Sequence, residues 1–153
     1  MSEVRLRPAR AGEEATLSEL CLKSKGHWGY DAEFVAACEP YLKVTAEDVA
    51  AGHTTVAETS TGAVLGVCQI APGNPHGSLD LLFITPDAIG QGIGRRLFEH
   101  AKGQLRAAGE TVMTILSDPY AETTYLHMGA KRVEMRASDV FKDRELPWLE
   151  VAL

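Results

Sequence analysis

The stretch from Leu79 to Phe98, LDLLFITPDAIGQGIGRRLF, constrains this chain more than any other. It runs from an apolar strand through Pro86 and glycines at 90, 92 and 94 into a long amphipathic helix. The first N–H groups of a helix have no partner inside it, and the helix dipole adds a partial positive charge there. Missing Cβ atoms at the same place let an anion approach the main chain closely. The segment is therefore expected to hold a phosphate group, a pyrophosphate above all. The plainer reading is a tight strand-to-helix turn and nothing more. Three glycines at alternate positions of a helix start cost stability, which favours the anion site.

Two phosphate-binding patterns fail on spacing. A nucleoside-triphosphate loop needs Lys-Ser or Lys-Thr after its last glycine, and here Arg95-Arg96 follows. A dinucleotide fingerprint needs G-x-G-x-x-G in a first strand–turn–helix unit, whereas this one is G-x-G-x-G near mid-chain. Glu110 falls at the offset of the ribose-binding acid but precedes the next apolar run instead of following it.

At 153 residues the chain is expected to be a single domain spanning 1–153, with 45% hydrophobic and 24% charged residues, ordinary for a globular protein. No apolar run approaches the roughly 20 residues needed to span a bilayer, and MSEVRLRPAR has no signal-peptide core. The expectation is a cytoplasmic protein with no membrane partner. Cys21, Cys38 and Cys68 form no C-x-x-C pair, so they read as reduced core residues. A net charge of −6 argues against a nucleic-acid partner and is compatible with a cationic amine.

Residues 4–7 alternate as a first strand ended by Pro8, and Leu17, Leu20 and Cys21 mark a helix over 11–24. Asp31 is placed to cap a second helix through Cys38, and a short helix is expected around 46–51. Strands at 54–58 and 63–70 flank Thr61-Gly62 as a hairpin. The glycine- and proline-rich 71–78 reads as a connection, and 78–85 as the strand before the glycine turn. In the next helix Ile93, Leu97, Ala101 and Leu105 form one stripe, and Gly109 ends it. A strand at 111–116, a short helix at 122–128, a strand at 130–136 and a closing strand at 149–153 complete the order β-α-α-β-β-β-α-β-α-β-β.

On these residues the chain resembles the GNAT superfamily of N-acyltransferases. The family's acyl-CoA site is a strand ending near proline, then Arg/Gln-x-x-Gly-x-Gly/Ala at a helix start. Gly92-Ile93-Gly94 and Pro86 fit that pattern, while Ile89 stands where Arg or Gln is usual. Downstream, Asp118, Ala121, Tyr125 and Gly129-Ala130 resemble a second signature, in which Asn-x-x-Ala opens a short helix bearing a tyrosine. Asp118 replaces the common Asn and is expected to cap that helix. The element order matches the family over essentially the whole chain. The resemblance implies an α/β (α+β) GNAT fold, with a mixed central sheet of about six to seven strands and about four flanking helices.

It also implies direct transfer of an acetyl group from acetyl-CoA to a primary amine, of a small molecule or of an exposed protein amino group. A catalytically inactive acyl-CoA-binding sensor or partner module is the alternative. The acyl-CoA contacts would be Phe83, Ile84, Ile89, Gly90, Gln91, Gly92, Ile93, Gly94, Arg95 and Tyr125, with main-chain N–H groups near Phe83 and Ile84 holding the oxyanion. Tyr125 would be the acid that protonates the departing thiolate, since a phenol of pKa about 10 can donate and later recover a proton. Its plainer reading is a packed core tyrosine. Asp80, on the same strand, is the first choice of base, with His27 and Glu33 behind it; a solvated strand carboxylate is the competing reading. His27, Trp28, Tyr30 and Glu33 lie in the segment that lines the acceptor pocket in the family, where an apolar plug between helices would also suit them. His76 and His100 read as loop and solvent-facing helix residues. His53 and His127 have no metal-ligand spacing, and the transfer needs no metal. A homodimer is allowed by the resemblance, with Pro147-Trp148-Leu149 as its apolar edge.

Overall fold

A computed structural model describes residues 3–73, 75–141 and 143–153. Among them seven strands form one mixed sheet, and five α-helices accompany it. The strands are β1 (Val4–Pro8), β2 (Thr54–Thr59), β3 (Val64–Ala71), β4 (His76–Ile84), β5 (Val112–Leu116), β6 (Lys131–Ala137) and β7 (Glu145–Ala152), in the spatial order β1-β2-β3-β4-β5-β7-β6. The helices are α1 (Glu14–Gly26), α2 (Ala32–Cys38), α3 (Ala46–Ala50), α4 (Ile93–Ala107) and α5 (Glu122–His127). The chain divides into two compact units. One holds the described residues up to Gln69 together with Leu81–Ala101, the other Ile70–Asp80 with Lys102–Leu153.

In the first unit, β1 pairs antiparallel with β2 and β2 with β3. Leu17 and Cys21 of α1 pack into a core with Val44, Val56, Val67 and Leu81, and Phe83 packs against its margin. Asp31 caps α2 as expected, accepting the Phe34 N–H at 2.7 Å. The first helix starts at Glu14 instead of residue 11 because Glu13 is engaged ahead of it. Its carboxylate takes Arg7 through two bonds of 2.9 and 2.8 Å and the Arg10 N–H at 2.7 Å. Behind it, Glu58 of β2 is buried and held by Arg5 and Arg7, with contacts of 2.8 and 2.9 Å. Hydrogen bonds from Arg7 and Arg5 hold the Glu58 carboxyl below the usual carboxylate range, and the Arg7 bond does the same for Glu13.

In the second unit, β4 pairs parallel with β5 over His76↔Val112, Gly77↔Met113 and Ser78↔Thr114. The 71–78 connection is shorter than expected, since β3 runs to Ala71 and β4 begins at His76; Asn74 lies outside the described residues. Glu110 is buried and accepts the Gly73 N–H at 2.8 Å, so the carboxylate at the dinucleotide offset braces this loop.

The last strand departs most from expectation. It starts at Glu145, not 149, and lies between β5 and β6 instead of closing the sheet. Proline reads as a strand breaker because it has no N–H. Here Pro147 is buried inside β7, and its carbonyl oxygen accepts the Ser117 N–H at 2.9 Å. Pro147-Trp148-Leu149 is therefore interior, and β6, every residue of which is exposed, is the edge.

Candidate active site

The glycine turn lies in the first unit. Beyond β4, the Thr85 N–H bonds the Leu65 carbonyl oxygen at 2.8 Å, and Pro86–Ala88 make one 3-10 turn with Ala88 buried. Ile89 is then extended, and Gly90 and Gly92 take left-handed backbones with φ of +90° and +80°. An L side chain at either would cost about 1–2 kcal/mol. The Cβ atoms they lack would meet nothing within 4 Å, so this backbone is open. The first bond of α4 runs from the Arg96 N–H to the Gly92 carbonyl oxygen at 3.2 Å. The N–H groups of Ile93, Gly94 and Arg95 precede the helical ladder and gather at the positive end of its dipole.

Gly94 is different. It lies in the first turn of α4 with no left-handed backbone, and a Cβ there would make an ordinary 3.8 Å contact with Ile84 Cγ1. Conformation explains glycine at 90 and 92; neither conformation nor packing asks for it at 94.

Of the other expected acyl-CoA residues in this unit, Ile89, Gln91 and Arg95 are exposed and Phe83 and Ile84 are half-buried. Ile93 is buried, which leaves only its main chain for a ligand. Arg96 is tied back to β1, donating from Nη1 to the Val4 carbonyl oxygen at 2.6 Å.

On β4, Ser78, Asp80, Leu82 and Ile84 share one face by strand alternation. Asp80 is exposed and accepts a hydrogen bond from Ser78 Oγ at 2.6 Å. Ser78 was not singled out in the sequence, although its i,i+2 spacing from Asp80 is a readable signal. The parallel ladder ends at Ser78, so the main chain at Phe83 and Ile84 lies beyond it.

In the second unit, Tyr125 is the one buried residue of α5, and its carbonyl oxygen receives the Met128 and Ala130 N–H groups, both at 3.0 Å. Asp118 does not cap α5. Its Oδ1 accepts the Tyr120 N–H at 2.8 Å, and Ala121 occupies the cap position without a side-chain bond. The carboxylate stands three residues ahead of the cap and closes a local turn instead. Glu122, in the first turn of α5, grips Arg132 through two bonds of 2.6 and 2.5 Å, which lower the Glu122 pKa and raise that of Arg132.

The segment assigned to the acceptor pocket joins α1 to α2. Tyr30 stacks on Phe34 with centroids 4.2 Å apart, and Lys25 Nζ stands 5.0 Å over the Tyr30 ring and 5.8 Å over Phe34. Trp28 is exposed and meets His27 edge-on at 5.7 Å; Glu33 is exposed in the first turn of α2. Phe34 was missed; Tyr30 precedes the Asp31 cap of α2 and Phe34 stands in its first turn, so the stacking depends on how the chain enters the helix and not on a helical spacing. An indentation of about 380 Å³ elsewhere on this unit is lined by Glu14, Ser18, Leu22, Glu39, Lys43 and Val44, none of them an expected site residue.

The cysteines are free and buried, and burial pushes the thiols of Cys21 and Cys68 up to about 12, which suits core residues and not nucleophiles. His100 is half-buried, not solvent-facing, and burial lowers its pKa. Among the described residues no group of three or more His, Cys, Asp or Glu could hold a metal ion. No helix of the described residues is long and apolar enough to cross a membrane.

A family model described as an acetyltransferase (GNAT) domain matches residues 12–141. A search of curated protein sequences finds no match. Among solved structures, the chain is similar to a GCN5-related N-acetyltransferase from Rhodopseudomonas palustris, with a TM-score of 0.78 and 20% identity over 100% of this chain and 98% of that one. It is similar to the PaiA N-acetyltransferase from Thermoplasma acidophilum in complex with coenzyme A, with a TM-score of 0.80 and 13% identity over 99% of each chain. It also resembles N-acetylglutamate synthase from Neisseria gonorrhoeae, complexed with coenzyme A and N-acetyl-glutamate, with a TM-score of 0.69 and 17% identity, covering 100% of this chain and 36% of that one. At these identities the likeness is one of fold.

Proposed function

The chain belongs to the GNAT acetyltransferase family, and from that premise we propose that it moves the acetyl group of acetyl-CoA directly to a primary amine, of a small molecule or of an exposed amino group. The observation that carries this reading is the open turn at 89–94. Left-handed Gly90 and Gly92, with nothing near their missing Cβ atoms, lead into the N-terminus of α4. That surface fits a pyrophosphate, and a ligand lying against the main chain favours a small residue at 94, where the family pattern takes glycine or alanine. Exposed Arg95 and Gln91 are assigned to the same ligand.

Acetyl-CoA supplies the acyl group as an activated thioester. The acceptor ammonium must first lose a proton, and Asp80, oriented by the Ser78 hydroxyl, is assigned that proton. The amine nitrogen then bonds to the thioester carbonyl carbon. Main-chain N–H groups of β4 near Phe83 and Ile84 offset the charge that develops on the oxygen. As the carbon–sulfur bond breaks, the Tyr125 phenol gives its proton to the sulfur, and the surplus proton on the nitrogen is lost as the neutral amide forms, which restores the phenol. Tyr125 is assigned this role by its register in the second motif. The aromatic segment of His27, Trp28, Tyr30 and Glu33 is assigned to the acceptor.

One observation favours a second reading, an acyl-CoA-binding module without turnover: an exposed isoleucine, Ile89, stands where the family uses a polar side chain. Calorimetric titration with acetyl-CoA, and with NAD as control, tests the common premise. The expected result is micromolar acetyl-CoA binding and no NAD response, followed by turnover with members of an amine panel. Absence of acetyl-CoA binding overturns both readings; binding without turnover on any amine leaves the second.

A further inference from the structure

In the second unit the two faces of the sheet differ. A Cβ at Gly77 of β4 would stand 2.7 Å from Leu105 Cδ2, so that face of the strand meets α4. Gly77 is in register with Met113 of β5, and Met113 with Val151 of β7; Met113 and Val151 are buried. Side chains alternate along a strand, so Val112, Glu150 and Ala152 project from the opposite face. An indentation of about 220 Å³ lies there, walled by Val112, Val133 and Ala152 and completed by Gly129, Lys131 and Glu150. Pockets for drug-sized ligands run to roughly 300–1,000 Å³, so this one suits a molecule of a few carbons.

Its two charges set the chemistry. Lys131 and Glu150 stand directly opposite each other across β6 and β7. Opposite charges at such positions ordinarily attract and pair. The other charges of β6 do pair: Glu122 holds Arg132, and Glu134 holds Arg136. Lys131 and Glu150 do not. Among the described residues, neither side chain makes a hydrogen bond or an ion pair. Glu150 is half-buried all the same, so its carboxylate has given up part of its hydration with no protein donor in return.

A ligand placed between these two side chains meets a carboxylate on one side and an ammonium on the other. A simple amine would satisfy Glu150 and be repelled by Lys131. A simple carboxylate would satisfy Lys131 and be repelled by Glu150. An α-amino acid carries both charges on one carbon and matches both residues at once. The remaining walls are aliphatic, which selects a short aliphatic side chain.

We propose that this indentation is an accessory binding site for a free α-amino acid with a small aliphatic side chain. Its ammonium lies on the Glu150 carboxylate, its carboxylate on the Lys131 ammonium, and its side chain against Val112, Val133 and Ala152. No bond is made or broken there. The inference goes beyond the acyl-transfer reading and does not rest on it.

Calorimetric titration of the full chain with L-valine, in the absence of acetyl-CoA, tests it. Isobutylamine and isovalerate are the ammonium-only and carboxylate-only controls. The expected result is a valine Kd below about 1 mM, with each control weaker by about tenfold or more, since each lacks one charge-assisted bond. Glu150→Gln and Lys131→Met remove a charge at nearly constant size, and each should weaken valine binding by about the same factor. In the unaltered protein, valine should shift the amide resonances of Val112, Gly129, Lys131, Glu150 and Ala152, a result that needs no variant to fold. Absence of valine binding overturns the proposal, as does equal affinity for either control or full affinity in both variants. Shifts confined to residues 27–34 also overturn it, and would make valine an acceptor instead of an accessory ligand.

Discussion

A Cβ at Gly94 would lie 3.8 Å from Ile84 Cγ1, an ordinary contact, in contrast to the left-handed backbone that Gly92 imposes two residues earlier. The two glycines should therefore respond oppositely to the same substitution. Gly92→Ala should lose about 1–2 kcal/mol of stability through its φ. Gly94→Ala should be neutral or gain up to about 1 kcal/mol, because alanine is the better helix former. Gly92→Ala should weaken acetyl-CoA binding, Gly94→Ala should leave it nearly intact because the family pattern admits alanine there, and Gly94→Arg should abolish it in a protein that still unfolds cooperatively. Urea unfolding beside calorimetric titration separates the effects. A Gly94→Arg protein that binds normally would refute the main-chain cradle.

Tyr125→Phe keeps the ring that α5 buries and removes only the hydroxyl. If that hydroxyl protonates the thiolate, turnover on the acceptor found by screening should fall by about 100-fold or more. Acetyl-CoA affinity should change little. Steady-state rates beside a binding isotherm check the split, and equal losses in both would make Tyr125 a packing residue.

The Arg5–Glu58–Arg7–Glu13 network sets a pH dependence. Arginine bonds lower the pKa of both Glu58 and Glu13 in the folded chain. The unfolded chain therefore binds these protons first. The network's contribution is full above the unfolded glutamate value of about 4.3 and is lost as pH falls through the lower folded values. Urea midpoints should fall with pH in that acid range. In Glu58→Gln the neutral-pH midpoint should be lower and the acid slope shallower. An unchanged slope would show that Glu58 is not linked to folding.

Glu110 braces the loop before β4 through the Gly73 N–H at 2.8 Å. Glu110→Ala should cost about 1–3 kcal/mol, since it leaves a partly buried donor without its acceptor. Glu110→Gln retains an acceptor oxygen and should cost less. Thermal melts of the two variants give the order, and equal losses would assign the effect to charge instead of to the hydrogen bond.

Local chemistry was readable where it is local. Asp31 announces the start of α2 because its carboxylate reaches an N–H three residues on, and the stripe Ile93, Leu97, Ala101 and Leu105 is buried as the helical period requires. The same reasoning misjudged Asp118, whose carboxylate found a nearer N–H at Tyr120. It also did not foresee that Glu13 would be drawn to Arg7, or that Ser78 would hold Asp80, because side-chain pairing depends on which faces the backbone brings together.

By itself the sequence determined the element types, the buried stripes of α1 and α4 and the glycine turn ahead of α4, since period, capping and backbone freedom act over a few residues. Only the tertiary structure decided that Pro147 sits inside an interior strand, that β7 lies between β5 and β6, and that β6 is left as the edge. Alternation says which side chains face inward, but strand neighbours are chosen by main-chain hydrogen bonds between residues far apart in the chain, and every strand offers the same donors and acceptors.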